Sequence, residues 1–168
     1  MNNHQLFCPK CGNDTLIKNT LKSFACDSCG FVFFFNAAAA VTGIIELPDG
    51  NIVMTIRKHA PAAGMLDLPG GFVDYDETGE EALRREIEEE LNIEIDDIKY
   101  LTTIPNTYIF KNITYKTLDI FFKCKAKNIE LIKPNDDVSE FIFINPKEVK
   151  LEQIGLDSVK KLFSRPIQ

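Results

Sequence analysis

The chain has 168 residues, which is enough for one ordinary domain and a small additional module. Hydrophobic residues make up 45% of it and charged residues 26%, the profile of a globular protein that can build a core. The formal net charge of −6 argues against a general nucleic-acid binder and against a protein that binds membrane surfaces.

Two stretches bear on where the protein works. Residues 1–5 contain neither a basic region nor an apolar core, so we expect no export signal. Residues 28–45 carry no charge, but the glycines and polar residues among them favour two buried strands over a membrane span. Together with the cysteine pattern described next, these features predict a cytoplasmic protein without a membrane partner.

Four of the five cysteines form two Cys-x-x-Cys pairs, Cys8 with Cys11 and Cys26 with Cys29, separated by fourteen residues. Each pair places two thiolates on one tight turn, and two such turns supply four ligands for a tetrahedral Zn²⁺. A redox dithiol is the alternative, but it usually needs a single pair. The paired spacing resembles a zinc ribbon, and its closed ligand set implies a structural role.

An aromatic run at residues 31–35 leads out of this segment. It favours a strand buried against a sheet, or a contact between domains, over a base-stacking platform. We place the domain boundary near its centre, with a zinc ribbon over residues 1–33 and a second domain over residues 34–168. The second domain begins with residues 37–47 and 52–58, which are predicted to form a hairpin. The small side chains at the start of its first strand predict a close packing partner.

The negative charge is concentrated in residues 71–93, which hold nine acidic residues and two arginines, a balance of −7. Thr78 followed by Glu81 is a capping box and predicts that a helix begins near Gly79. The helix is expected to end at Asn92, which tolerates left-handed geometry. Its core-facing stripe recurs every four residues and consists of Leu83, Ile87 and Leu91.

A second stripe on this helix is made of carboxylates, because Glu86, Glu89 and Glu90 fall on one side at roughly 100° per residue. They crowd the last turns, where the backbone carbonyls are already negative. Like charges three or four residues apart cost roughly 0.2–0.5 kcal/mol per pair, so the stripe works against its own helix. A divalent cation bound by carboxylate oxygens would reverse the sign of that cost. The alternative is a solvated acidic helix.

Further elements are predicted after the acidic helix. They are a strand over residues 98–103, a long hairpin formed by 107–110 and 113–125, a strand over 141–144, a helical turn at 146 and a closing helix over 156–163. Cys124 alternates with its neighbours on the hairpin and is predicted to be a buried small residue.

The spacing around the acidic helix resembles the Nudix box. Gly71 is followed after five residues by Glu77, and after seven more by Arg85, which begins the run REIEEELNI. Asn92 stands where the box usually has a glycine, and Asp76 replaces another glycine often found there. The resemblance implies an α/β (α+β) fold, namely an α/β/α sandwich with a mixed sheet. It also implies Mg²⁺- or Mn²⁺-dependent hydrolysis of a nucleoside diphosphate linked to another group.

The resemblance assigns the metal ligands to the carboxylate stripe, Glu86, Glu89 and Glu90, which are also the expected catalytic residues. The backbone carbonyl of Gly70 is expected to join them. The general base must reach the attacking water. Glu86 is one candidate and Glu140, which precedes the strand at residues 141–144, is another. Asp136 and Asp137 lie close in sequence and are substitutes for Glu140.

Supporting and substrate-binding residues are expected outside the stripe. Glu77 and Arg85 are predicted to pair and hold the loop to the helix. Arg57 is a candidate contact for substrate phosphates. Tyr108 or Phe110 is a candidate for stacking on a base, although strand aromatics are more often part of the core.

A zinc ribbon followed by a Nudix domain resembles the NADH pyrophosphatase architecture. That subfamily carries a Trp-containing motif shortly after the box, whereas residues 103–109 here are TIPNTYI and the chain has no tryptophan. ADP-ribose or a similar nucleotide sugar is therefore the expected substrate, with NADH a further candidate. The alternatives are hydrolysis of nucleoside triphosphates or capped RNA, and a nucleotide-sensing or adaptor module that does not cleave. The expected partner is a small-molecule nucleotide; nucleic acid is disfavoured, and a homodimer is left open.

Overall fold

A computed structural model describes residues 6–165 of the chain. It divides into two compact units, one ending at Asn36 and the other beginning at Ala37. The predicted boundary near Phe33 lies inside the last strand of the first unit, and the division at residues 33 and 34 stays a prediction. The start of the chain, used above to argue against an export signal, lies outside the described residues. None of the described helices is long and apolar enough to span a membrane.

The first unit is a small antiparallel sheet in the order β1-β2-β3. Its strands are β1 (Leu16–Thr20), β2 (Ser23–Cys26) and β3 (Val32–Phe34). The strand predicted in the aromatic run is confirmed as β3, but its burial against a sheet is wrong, because all its residues are exposed, Phe34 by 59%. The described part of this unit holds no second layer to cover the sheet. Its aromatic rings contact one another instead, as Phe33 and Phe35 do with centroids 5.5 Å apart.

The second unit is built on a six-stranded mixed sheet. Its strands are β4 (Ala38–Glu46), β5 (Ile52–Arg57), β6 (Leu66–Asp67), β7 (Ile95–Phe110), β8 (Ile113–Ala126) and β9 (Val138–Ile144). Five of them follow the order β6-β5-β4-β8-β7, while β9 pairs with β5. The β4 and β8 strands run parallel and the other pairs are antiparallel, so the predicted mixed sheet is confirmed.

Two helices, α1 (Gly79–Leu91) and α2 (Asp157–Phe163), pack in separate cores. The first core joins α1 to β4 residues such as Val41 and Ile45, and the second joins α2 to Ile44. Successive β4 side chains point to opposite faces of the sheet, so the sheet lies between the helices and the α/β/α sandwich is confirmed. The described residues of this unit also form three short 3₁₀ turns: Ile129–Leu131, Pro146–Glu148 and Leu151–Gln153.

The long hairpin is confirmed, and it is longer than predicted. The strands predicted over residues 98–103 and 107–110 form one continuous strand, β7, although Pro105 lies between them. Proline is tolerated there because β7 is an edge strand that pairs only with β8 among the described strands. The turn uses Lys111 and Asn112 at φ values of 48° and 63°, which suit a two-residue hairpin.

The first predicted hairpin is only partly formed. The turn between β4 and β5 exists, but the two strands pair only at Glu46 and Ile52. Beyond that point the glycine-containing loop at residues 69–73 pairs with β4 instead. The Val41 N–H donates to the Gly71 carbonyl at 2.8 Å, and the Val73 N–H donates to the Ala39 carbonyl at 3.1 Å. This loop is the close packing partner that the small side chains of β4 predicted.

Candidate functional site

Helix α1 positions the carboxylate stripe, and its ends are formed as predicted. Thr78 and Glu81 make a reciprocal capping box at the start of the helix. Asn92 follows the last turn in left-handed geometry, with φ of 55°, and its backbone N–H donates to the Glu88 carbonyl. The apolar stripe is fully buried, including Leu83 and Ile87. Because that stripe fixes the rotation of the helix, it also fixes where the carboxylates point.

The three carboxylates differ in burial. The Glu90 residue is only 9% exposed, while the side chains of Glu86 and Glu89 are 15% and 49% exposed. Burial raises the pKa of Glu90 to about 8, against the backbone hydrogen bond from Gly70 and with the nearby charge of Glu86 adding to the rise. Burial also raises the pKa of Glu86. A buried carboxylate crowded by further acids is an arrangement that a cation would stabilise.

The glycine loop lies directly against these groups. The Gly70 N–H donates to Glu90 Oε2 at 2.9 Å, which ties the loop to the last turn of α1. Gly70 has φ of +144°, and a Cβ there would lie 2.1 Å from the Val41 carbonyl oxygen. A Cβ on Gly71 would lie 2.4 Å from the carboxylate of Glu86. Both positions therefore require glycine, one for the approach to β4 and the other for the approach of Glu86.

Arg85 connects the loop and the helix. It donates through Nε and Nη2 to the two carboxylate oxygens of Glu77, at 2.8 and 3.0 Å. Its Nη1 donates to Glu86 at 2.8 Å and to Glu89 at 3.2 Å. The hydrogen bonds from Arg85 lower the pKa of Glu77, so this pair stays charged. A single guanidinium thus orients two carboxylates of the stripe.

The stripe does not form a tight ligand cluster in this structure. Among the described residues, the group of His, Cys, Asp and Glu ligand atoms that meets within 4.8 Å is the cysteine group, not the stripe. The Arg85 guanidinium draws Glu86 and Glu89 to itself, whereas Glu90 faces Gly70. Mutual repulsion of the carboxylates acts in the same direction.

A cavity of about 560 Å³ opens beside the stripe. Its lining is partly acidic and includes Glu86, Glu89, Glu90, Asp136 and Asp137. It also includes aromatic and buried polar side chains, namely Phe72, Tyr108, Phe110, Asn106, Thr117 and Asp119. The cavity lies entirely within the second unit, so one unit carries both the carboxylates and a space of nucleotide size.

Arg57 and Tyr108, proposed above as substrate contacts, both line this cavity. Arg57 is already engaged: its Nη1 lies 2.6 Å from Asp67 Oδ2, and its Nε donates to the Pro61 carbonyl. Burial works against the charge of Arg57, but the charge and hydrogen bond of Asp67, together with contributions from Tyr108, outweigh it and raise the pKa of the guanidinium. The ring of Tyr108 lies 6.0 Å from that of Phe72, centroid to centroid.

The candidate general bases differ in whether they line the cavity. Asp136 and Asp137 line the cavity, whereas Glu140 is an exposed residue of β9, paired with Ile56 in β5, and is not among the cavity-lining residues. Asp136 and Glu86 both line the cavity, and the charge of Asp136 adds to the rise in the pKa of Glu86 that burial causes. The roles of all three acids stay predictions.

Five buried polar residues of the cavity were not singled out from the sequence: Thr55, Asp67, Asn106, Thr117 and Asp119. A signal for two of them exists in the strand alternation. Asn106 shares a face with the buried Ile104, and Asp119 shares a face with the buried Phe121. A polar side chain at an inward position of a strand points to a functional wall or to a buried hydrogen-bond network.

The first unit brings its four cysteines together. Cys8 Sγ lies 3.7 Å from Cys29 Sγ, and Cys11 Sγ lies 3.7 Å from Cys26 Sγ. All four sulfur atoms lie within 4.8 Å of one another. Four thiolates at metal–sulfur distances of about 2.3 Å form a tetrahedron with edges of about 3.8 Å, so the group has the dimensions of a metal site. Cys124, predicted to be a small buried residue, is confirmed as such at 2% exposure.

Comparison with known proteins gives a family match, two curated relatives and a similar solved structure. The family model described as NUDIX domain matches residues 36–163. The chain is 48% identical over 60 residues to the ADP-ribose pyrophosphatase of Methanocaldococcus jannaschii, over 36% of this chain and 35% of that protein. It is 29% identical over 99 residues to the NAD-capped RNA hydrolase NudC of Yersinia pestis (strain Pestoides F), over 59% of this chain and 37% of that protein.

These curated relatives are matched over about a third of their length. Among solved structures, a NUDIX hydrolase from Nitrosomonas europaea superposes with a TM-score of 0.72 over 95% of this chain and 91% of its own. The sequence identity in that comparison is 22%, so it bears on the fold alone.

Proposed function

This chain belongs to the Nudix family, and on that premise we propose that it hydrolyses the diphosphate linkage of a nucleoside diphosphate derivative, with ADP-ribose as the first candidate. The observation that carries the proposal is a cavity whose lining combines the carboxylates of α1 with aromatic and buried polar side chains. The pyrophosphatase of Methanocaldococcus jannaschii, named for ADP-ribose, supports the choice of candidate.

The divalent cation of this family, Mg²⁺ or Mn²⁺, would be held by Glu86, Glu89 and Glu90, together with the Gly70 carbonyl. The fit rests on the chemistry of the donors, which are all oxygen atoms, and on the burial of Glu86 and Glu90, which disfavours their negative charge. When bound, the cation neutralises the diphosphate and acidifies a bound water. Arg85 keeps Glu86 and Glu89 oriented, and the Gly70 N–H does the same for Glu90.

The chain's own acids must also take up a proton. In the hydrolysis, the water oxygen forms a bond to one phosphorus while the bridging P–O bond breaks. The bridging oxygen leaves with the second phosphate, and the water proton passes to a base. We propose that the base is a cavity-lining acid, Glu86, Asp136 or Asp137. Glu140 stays a candidate from the family resemblance, although it is not among the residues that line the cavity.

The test is phosphate-bond cleavage with Mg²⁺ across a panel of ADP-ribose, NADH, NAD, dinucleoside polyphosphates and nucleoside triphosphates. Wild type is compared with Glu89→Gln and with the matched control Glu88→Gln, which changes an exposed neighbour outside the cavity. We expect one substrate class to be cleaved, with loss of cleavage in Glu89→Gln only. Nucleotide binding without any cleavage would overturn the proposal in favour of a sensing module.

A second candidate function is the hydrolysis of NAD-capped RNA. It is favoured by the similarity to NudC, which covers more of this chain than the match to the pyrophosphatase does. Adding NAD-capped RNA to the panel tests it. Faster cleavage of the capped RNA than of ADP-ribose would make RNA ends the substrate, and the rate should then fall with salt.

For the first unit we propose Zn²⁺ held by Cys8, Cys11, Cys26 and Cys29, with a structural role. The sulfur spacing supports it, because it matches a tetrahedral thiolate site. A reducing compartment such as the cytoplasm keeps four thiols available for metal, and it is the proposed location.

A further inference from the structure

One buried acceptor of the cavity has no partner. Asn106 is 6% exposed, and its Oδ1 atom makes no hydrogen bond to any described residue. The residue lies on β7 and lines the cavity. A buried amide oxygen without a partner costs free energy unless water or a ligand supplies a donor.

The orientation of this amide is fixed by its neighbour. Asn106 Nδ2 donates to Asp119 Oδ2 at 3.0 Å, and Thr117 Oγ1 donates to Asp119 Oδ1 at 2.6 Å. All three side chains are at most 6% exposed. Turning the amide over would bring its oxygen against a carboxylate oxygen, two acceptors without a proton between them. The free atom of Asn106 is therefore the acceptor, and Asp119 acts as a positioning residue.

The surroundings indicate what would approach this acceptor. Tyr108 follows two residues later on the same face of β7, and its ring stacks near that of Phe110, with centroids 6.5 Å apart. Helix α1, where the diphosphate is proposed to bind, supplies carboxylates to the same cavity, whereas Asn106 and Tyr108 belong to β7. The part of a nucleotide that lies away from its phosphates is the nucleoside, which offers N–H donors on the base and O–H donors on the ribose.

We propose that Asn106 is a specificity-determining residue that accepts a hydrogen bond from an N–H or O–H group of the nucleoside, with Asp119 holding its amide in the accepting orientation. The inference rests on the proposed function for the placement of the nucleotide. A nucleoside that lacks the donor should be rejected, because binding it would leave the buried Asn106 oxygen unpaired.

The test measures binding rather than turnover, with AMP as the probe. Isothermal titration compares AMP with three analogues: purine riboside 5′-monophosphate, which lacks the exocyclic amine, 2′-deoxy-AMP and 3′-deoxy-AMP. The proteins are wild type, Asn106→Leu, Asp119→Asn and the control Thr107→Val, which changes the exposed neighbouring residue of β7. The amine and the two hydroxyls are thereby tested separately as the source of the donor.

In wild type and Thr107→Val, one analogue is expected to bind roughly tenfold more weakly than AMP. In Asn106→Leu, AMP is expected to bind as weakly as that analogue. The ratio of the two dissociation constants, analogue to AMP, should therefore fall to about one. Asp119→Asn allows the Asn106 amide to turn over and is expected to reduce the ratio as well. This second variant keeps the test open if Asn106→Leu does not fold.

Equal binding of AMP and all three analogues to wild type would overturn the proposal, as would an unchanged ratio in both cavity variants. The latter result would mean that the three polar residues only join β7 to β8. Failure of the proposed function is a separate outcome, because binding that discriminates can be observed in a protein that cleaves nothing on the substrate panel.

Discussion

The burial of Glu90 predicts that the metal-free protein loses stability as the pH rises. In the folded protein the pKa of Glu90 is about 8, whereas its ordinary value is 4.5. Between these values the folded state retains a proton that the unfolded state has released. The resulting stabilisation is complete below pH 4.5 and is lost as the pH rises through 8. Glu90→Gln keeps an acceptor for the Gly70 N–H and removes the titration.

The size of the effect follows from the two pKa values. Each pKa unit corresponds to about 1.4 kcal/mol, so raising the pH from 5 to 8 should cost the wild type about 3 kcal/mol relative to Glu90→Gln. For a domain of this size, 1 kcal/mol shifts the melting temperature by about 2–4 °C. The difference between the two proteins should therefore change by roughly 6–12 °C over this range.

Thermal unfolding followed by circular dichroism from pH 5 to 8 measures this difference. The buffers are stripped of divalent ions with a chelating resin, because a soluble chelator would also remove the zinc that we propose for the cysteines. Glu88→Gln serves as the control, since Glu88 is exposed on the same helix. With Mg²⁺ present, the wild type should regain stability most strongly at pH 8, where the carboxylate form is available. Parallel melting curves for wild type and Glu90→Gln across the pH range would refute the reasoning.

Three further predictions concern neighbouring features. Gly71→Ala places a methyl group 2.4 Å from the Glu86 carboxylate, so hydrolysis should fall by about 100-fold and Mg²⁺ should no longer raise the melting temperature; an unaffected rate would show that Glu86 is free to move. Arg85→Lys removes the two-pronged contact with Glu77 and should lower the free energy of unfolding by about 2 kcal/mol in urea, which an unchanged midpoint would contradict. Cys26→Ser should open residues 6–36 to limited proteolysis and leave hydrolysis within about twofold, whereas loss of turnover would make the first unit part of the active enzyme.

The elements that local signals specify could be predicted from the sequence. Helix α1 begins and ends where the capping box and Asn92 indicate, because these groups satisfy the backbone at each end without help from the rest of the fold. The cysteine pairs are equally local, since two tight turns determine which side chains meet. The hairpin at Lys111 and Asn112 belongs to the same class, because its turn is two residues long.

The elements that depend on distant pairing could not be predicted. A hairpin of β4 and β5 is the simplest expectation for two strands joined by a short turn. The glycine loop displaces it, because Gly70 brings its backbone close to β4 at a distance that a side chain would prevent, and the next carbonyl, that of Gly71, accepts from the Val41 N–H. The prediction that the aromatic run is buried was wrong for a related reason. Hydrophobicity indicates a strand, but it does not indicate whether a second layer covers that strand.

The hydrogen-bonded group of Asn106, Thr117 and Asp119 in the cavity could not be predicted from the sequence either. Asn106 is paired in register with Thr117, and its hydrogen bond crosses diagonally to Asp119, two residues further along β8. Shifting the strands by one residue would turn one member of this set to the opposite face. In the sequence these positions are separate polar residues of a long hairpin. Only the register joins them into one group, and only burial leaves Asn106 Oδ1 without a partner. A residue that selects a substrate in this way is therefore recognised from strand pairing and burial together, whereas the carboxylates of α1 are recognised from spacing alone.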